Sequence, residues 1–215
     1  FLAMVILSTI VAAVGLARNS AAIVIGAMVM APLLGPSMAL SLATTLGDAK
    51  LAAQALRTTF AGILLAALVA LACGFVLNID PESTEIVSRT YVGPTDLVVA
   101  LAAGIAGALA FTTGVPASLV GVMVAVALLP PTASMGMLLG AGHPELASGA
   151  MLLLAVNVVS VIVAARLVFT AKGLKPRTWY ERSKARQSTL VAGVFWAVLL
   201  AILLIIVYVR HRVVM

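Results

Sequence analysis

The chain aligns with itself, and this self-similarity constrains its fold more than any other feature. Residues Gly26-Ala-Met-Val-Met-Ala-Pro-Leu-Leu-Gly-Pro36 recur 95 positions later as Gly121-Val-Met-Val-Ala-Val-Ala-Leu-Leu-Pro-Pro131. Six of the eleven pairs are identical: Gly26/Gly121, Met28/Met123, Val29/Val124, Leu33/Leu128, Leu34/Leu129 and Pro36/Pro131. Ser37/Thr132 extends the match, and Gly47/Gly142, Leu51/Leu146 and Ala52/Ala147 keep the offset. Each copy sets prolines in the middle of a long apolar segment. Matched, interrupted hydrophobic segments in two halves of one chain are the best sequence pointer to a transport site.

Composition fixes the solvent. The chain is 63% hydrophobic and 9% charged, more apolar surface than a soluble domain of this size can hide, so the bilayer is its first partner. The net charge of +6 does not indicate nucleic acid, because the basic residues lie in loops between spans with no aromatic-interleaved basic face. The single cysteine, Cys73, lies in an apolar run and suits packing. Residues 1–16 are apolar from the outset, without the basic leader or cleavage site of a signal peptide. The chain therefore reads as starting at the first span of a longer protein.

Apolar stretches of at least about 17–20 residues mark membrane spans. Seven fall at roughly 1–17, 21–46, 51–77, 97–113, 117–141, 146–170 and 189–209. The expected fold is all-α and transmembrane: a 3+3 inverted-topology repeat whose second and fifth helices are broken by proline, plus a seventh helix. Inversion follows from the odd number of crossings in each copy. The divisions are 1–77 (first repeat), 78–95 (external loop), 96–170 (second repeat), 171–188 (basic cytoplasmic loop) and 189–215 (seventh span and tail). With a cytoplasmic amino terminus and an external carboxyl terminus, nine basic residues fall inside and four outside, as the positive-inside rule asks of a plasma or inner membrane protein. The inside set is Lys50, Arg57, Arg166, Lys172, Lys175, Arg177, Arg182, Lys184 and Arg186. The outside set is Arg18, Arg89, Arg210 and Arg212.

The candidate site lies at the interruptions. Segment two holds Pro32, Gly35 and Pro36; segment five holds Pro130 and Pro131. Proline lacks the N–H donor and clashes with the carbonyl four residues back. Pro36 would free the carbonyl of Pro32, and Pro131 that of Ala127. The Leu129–Pro130–Pro131 run should leave helical geometry at Leu129 and Pro130. Freed backbone groups in hydrocarbon cost several kcal/mol each unless protein, water or ligand satisfies them. Ser37 and Thr132 follow the breaks where a new helix begins, with Ser134 two residues beyond Thr132, so two helix amino ends would favour an anionic or dipolar solute. Asn157 and Ser160, three residues apart, share a face of segment six and would line the wall. Arg57 either snorkels to the cytoplasmic interface or meets an anion at the inner mouth. Asn19 and Ser20 read as an amino cap for segment two.

Other chemistries find no support in the residues. No Asp or Glu lies well inside a span, which disfavours proton coupling. Neither an acid–base pair nor a metal cluster for intramembrane catalysis can be assembled, so an enzyme is not expected, and no cofactor or metal. Methionines 28, 30, 38, 123, 135 and 137 surround both interruptions and suit irregular packing better than soft-metal binding. Gly136-Met-Leu-Leu-Gly140 fits close helix packing or self-association into a homo-oligomer.

The string Asn19-Ser20-Ala-Ala-Ile-Val-Ile-Gly26-Ala-Met-Val-Met-Ala-Pro32-Leu-Leu-Gly35-Pro36 resembles the signature of the family called domain of unknown function 389, an uncharacterised hydrophobic domain. Ala127-Leu-Leu-Pro130-Pro131 followed by Leu153-Leu-Ala-Val-Asn157 is similar to its second signature region. The resemblance implies a prokaryotic integral membrane protein, often carrying an added soluble domain; an amino-terminal one would fit the apparent missing start. It supplies no substrate, cofactor or catalytic residue. The expected function is a channel or facilitative transporter for a small polar or anionic solute, with the pathway between residues 32–37 and 130–134. The alternative is a membrane-anchored sensor or assembly module coupled to a soluble domain.

Overall fold

The computed structural model describes residues 1–77, 79–114, 117–174 and 179–214, without the side chains of 117–127, 179–188 and 211–214. Among these residues the regular elements are all helices: α1 (Leu2–Ala17), α2 (Ala21–Met30), α3 (Leu34–Leu46), α4 (Ala49–Val76), α5 (Thr84–Val87), α6 (Pro94–Thr113), α7 (Ala117–Gly140), α8 (Pro144–Ala171) and α9 (Trp179–Val214). Hydrocarbon leaves little choice, since a spanning helix satisfies its backbone from within.

Each apolar segment expected from the sequence is a helix or a bent helix pair. Four of them, α4, α6, α8 and α9, are long and apolar enough to cross a bilayer among the described residues, and α2 with α3 makes a fifth, bent by 57°. The protein is thus a multi-pass membrane protein. Phe60, Phe75, Val76, Leu167 and Ile205 point outward from the bundle, as lipid-facing side chains do. The segment between α8 and α9 is shorter than the basic loop expected at 171–188, because helix resumes at Trp179. Lys175 and Arg177 lie outside the described residues.

One expectation fails plainly. The fifth segment is not broken: α7 runs without interruption from Ala117 to Gly140, with Pro130 and Pro131 inside it. Packing explains why the prolines are overridden. Gly136 and Gly140 press α7 onto α4, where a Cβ on Gly136 would come within 2.5 Å of the Ala67 carbonyl oxygen. Gly74 of α4 faces the Met137 backbone in the same way, and Gly140 faces Leu71. Lipid tails give apolar helices no reason to associate, so this close backbone approach supplies the cohesion. It also assigns the Gly136…Gly140 motif to packing within the chain.

The helix α8 is central, with 61% of its apolar window buried, against 11% for α9. It packs on α3, α6, α7 and α9. Gly104 lets α6 sit against Val161 and Ala164 of α8. On another side, Val158 and Ile162 meet Leu40 of α3, Ala55 of α4 and Trp196 of α9. The peripheral α9 is held by a polar tether, the Arg166 guanidinium donating to the Thr189 carbonyl. Gly193 makes room, since a Cβ there would sit 2.9 Å from Arg166 Nη2. The Thr189 hydroxyl reaches the Thr45 carbonyl of α3 at 3.5 Å.

The connections gather at two ends. At one, Asn19 accepts from the Glu85 N–H at 3.0 Å, and Arg210 donates to Ser148 at 3.3 Å. Arg89 and Glu85 pair there at 2.9 Å; burial pulls the Arg89 guanidinium below its ordinary pKa, and Glu85 opposes the shift. The other end holds the tether of Arg166 and Thr189 beside Thr45. Asn19 does not act as the expected cap: it adopts φ 49° and binds Glu85, and the Ser20 side chain makes no capping bond.

Replacing Gly136 or Gly140 by Leu should force α4 and α7 apart and cost about 1–3 kcal/mol, as overpacking does. An added Cβ at Gly26 meets nothing within 4 Å, so Gly26→Ala should leave the thermal unfolding midpoint in detergent unchanged or raised, while both Leu variants lower it.

Candidate functional site

The helical discontinuity is Ala31–Pro32–Leu33. A residue preceding proline is pushed out of the α region, and Ala31 accordingly turns to φ −74°, ψ 120°. The helix stops there, and the Ala31 N–H closes it on the Met28 carbonyl at 3.2 Å. Pro36 sits in the first turn of α3, which begins at Leu34. At that position its missing N–H would have lacked a helical partner anyway. The interruption is therefore made by Pro32, and Pro36 helps the next helix start.

The residues around it are unevenly covered. Ala31, Leu33 and Leu34 are buried, Pro32 and Pro36 are half-buried, and Gly35 is exposed with no atom within 4 Å of a Cβ placed on it. Pro130, Pro131, Thr132 and Ser134 of α7 are all buried. The helix α7 packs against α2, which brings the bent segment and the proline-bearing helix together.

Hydroxyls repair most of the backbone. Ser37 does not cap α3; it donates to the Leu33 carbonyl at 2.9 Å, and Thr132 donates to the Leu128 carbonyl at 2.7 Å. Ser41 donates to Ser37, and Thr44 and Thr45 to Ser41, along α3. This habit of bonding back one turn disposes of a hydroxyl in a greasy setting. Among the described residues three buried span hydroxyls depart from it: Thr59, Ser134 and Ser160 have no hydrogen-bond partner. Ser134 lies about 200° around α7 from Gly136, so it points away from the seam with α4 and into the rest of the bundle.

Asn157 and Ser160 are buried, at 6% and 0% exposure. They share the face of α8 that carries Val161 and Ala164, against which α6 packs. The side toward α3 carries Val158 and Ile162 instead. The face of Asn157 and Ser160 meets α6 at Gly104. Arg57 is exposed on α4, as a snorkelling side chain is. A cation that is held against a neighbouring helix is Arg166 of α8, bonded to α9. Its signal in the sequence was an arginine inside segment six, counted only as cytoplasmic charge.

Cavities among the described residues lie elsewhere. One of about 540 Å³ is lined by Asp80, Glu82, Thr90, Tyr91 and His143 at the loop end of the bundle. An apolar one of about 200 Å³ lies among Pro94, Leu97, Val156, Leu204 and Tyr208. Among the described residues no group of three His, Cys, Asp or Glu could hold a metal ion.

Residues 28–163 match the family described as Domain of unknown function (DUF389). The chain belongs to this family. It is similar to the uncharacterized protein MJ0678 of Methanocaldococcus jannaschii, 39% identical over 206 residues, which is 95% of this chain and 64% of the relative. The chain thus spans less than two thirds of that protein's length. No solved structure matches.

Removing a hydroxyl should have opposite effects at neighbouring positions. Thr132→Val deletes a made bond and should cost about 0.5–1.5 kcal/mol, whereas Ser134→Ala removes a bare buried group whose burial costs about 1–3 kcal/mol. Thermal unfolding in detergent should fall for the first and hold or rise for the second.

Proposed function

We propose that this chain is a channel or facilitative transporter for a small polar or anionic solute, and that it uses the region between bent α2–α3 and α7. The observation that carries the reading is the interrupted backbone at Ala31–Leu33, set against a helix bearing two buried prolines and the bare hydroxyl of Ser134. Irregular backbone at membrane depth is tolerated where protein buries it or a cavity is lined by it. The amino end of α3 then offers N–H groups and a partial positive charge to an anion or dipole.

The inverted repeat is part of the proposal, and four features support it. Helices α4 and α8 each run 28 residues, from Ala49 and Pro144, positions 95 apart. Positive φ recurs at the same spacing, at Asn19 and Gly114 and again at Gly47 and Gly142. The back-bonds Ser37 to Leu33 and Thr132 to Leu128 are equivalent under it. Contacts exchange between halves, α4 resting on α7 and α8 on α3. We place the end carrying Arg166 and Thr189 in the cytoplasm, on the basic-residue bias.

A second reading has one observation in its favour. The relative is longer than this chain, which covers 64% of it, so a membrane-anchored sensor or assembly module serving further domains is the alternative. Flux separates the two. In proteoliposomes, a panel of small anions and neutral polar solutes should include one whose flux falls at least tenfold on Pro32→Ala, with the protein still folded. No protein-dependent flux for any solute would favour the module.

A further inference from the structure

Three pairs equivalent under the 95-residue offset beside the interruption differ in cover in one sense, while Leu40/Met135 and Thr44/Leu139, farther along, differ in the other. Gly35 is exposed while Pro130 is buried; Pro36 is half-buried while Pro131 is buried; Ala39 is half-buried while Ser134 is fully buried. The backbone follows suit, bent by 57° in the first half and continuous in the second. We infer that the protein has a mirror conformation, in which α7 bends at Pro130–Pro131 and uncovers Ser134 while α2–α3 closes over Ala39. This deepens the transport reading, and rests on it, by naming the movement that would open the site to each side in turn.

Three observations support the exchange. Pro130 and Pro131 contribute no N–H, so the carbonyls of Val126 and Ala127 lose their helical donors and α7 is weakest there. The Ser134 hydroxyl is buried without a partner, a cost borne in this conformation and relieved when water or solute reaches it. The two halves are related in sequence across the very positions that differ in cover, so neither arrangement is foreign to the chain. A pair of inverted repeats that trade conformations produces the same architecture facing the opposite membrane side.

Cysteine accessibility tests this without measuring flux. In a Cys73→Ala background, Ala39→Cys and Ser134→Cys are reconstituted in vesicles and treated with a membrane-impermeant maleimide from either face. The expected result is Ala39→Cys reacting from one face and Ser134→Cys from the other, each at least tenfold faster than Ala12→Cys, a buried control. Adding Pro130→Ala and Pro131→Ala should silence Ser134→Cys and leave Ala39→Cys reactive. Should Ser134→Cys fail to fold, hydrogen exchange across residues 128–134 of the unsubstituted protein takes its place, expected to slow when Pro130→Ala and Pro131→Ala are introduced. Silence of either member, reaction of both from one face, or indifference to the alanines would overturn the inference. Opposite-face labelling in a protein that carries no solute would leave the movement standing and remove transport; flux without it would do the reverse.

Discussion

Everything in this molecule answers to the absence of water around its backbone. A peptide group at membrane depth must find its partner in the chain, and among the described residues the long helices provide it, except at Ala31–Leu33 and at the two carbonyls that Pro130 and Pro131 leave without donors. There the Pro32 ring forces the end, a three-residue closure on Met28 limits the damage, and α3 starts again with a proline where no donor was needed. The hydroxyls of Ser37, Ser41, Thr44, Thr45 and Thr132 belong to the same economy, each absorbed by a carbonyl one turn earlier. Against that background the unabsorbed hydroxyls of Thr59, Ser134 and Ser160 stand out.

Cohesion comes from closeness, since apolar side chains gain nothing by leaving lipid tails for one another. Gly74, Gly136 and Gly140 bring the α4 and α7 backbones together, and Gly104 does so for α6 and α8. The one apolar helix that stays at the margin, α9, is attached by a cation on a carbonyl. Such a bond strengthens as the surroundings become less polar.

Much of this was legible in the residues. Runs of apolar side chains located every long helix, and the prolines at 32 and 36 located the bend, because both are local effects of solvent and sterics. The fate of Pro130–Pro131 was not local. The same residue type breaks α2–α3 and is carried within α7, and the difference lies in what α7 packs against: two glycines bind it to α4, and its prolines are buried. Asn19 and Ser20 misled for a related reason, since Asn19 serves the distant Glu85 N–H before its own helix. Asn157 and Ser160 were read correctly as sharing one face of α8; which neighbour that face would meet depended on Gly104 of α6.

The two 28-residue helices carry a mechanical implication. At 1.5 Å per residue each is about 42 Å long, against a hydrocarbon layer of about 30 Å. Both must lean, or project into the headgroups, and their lean is set by the thickness of the lipid sheet around them. A thicker bilayer would stand them upright, and α4 leans on α7 while α8 leans on α3. Lipid chain length would thereby act on the interfaces flanking the bend.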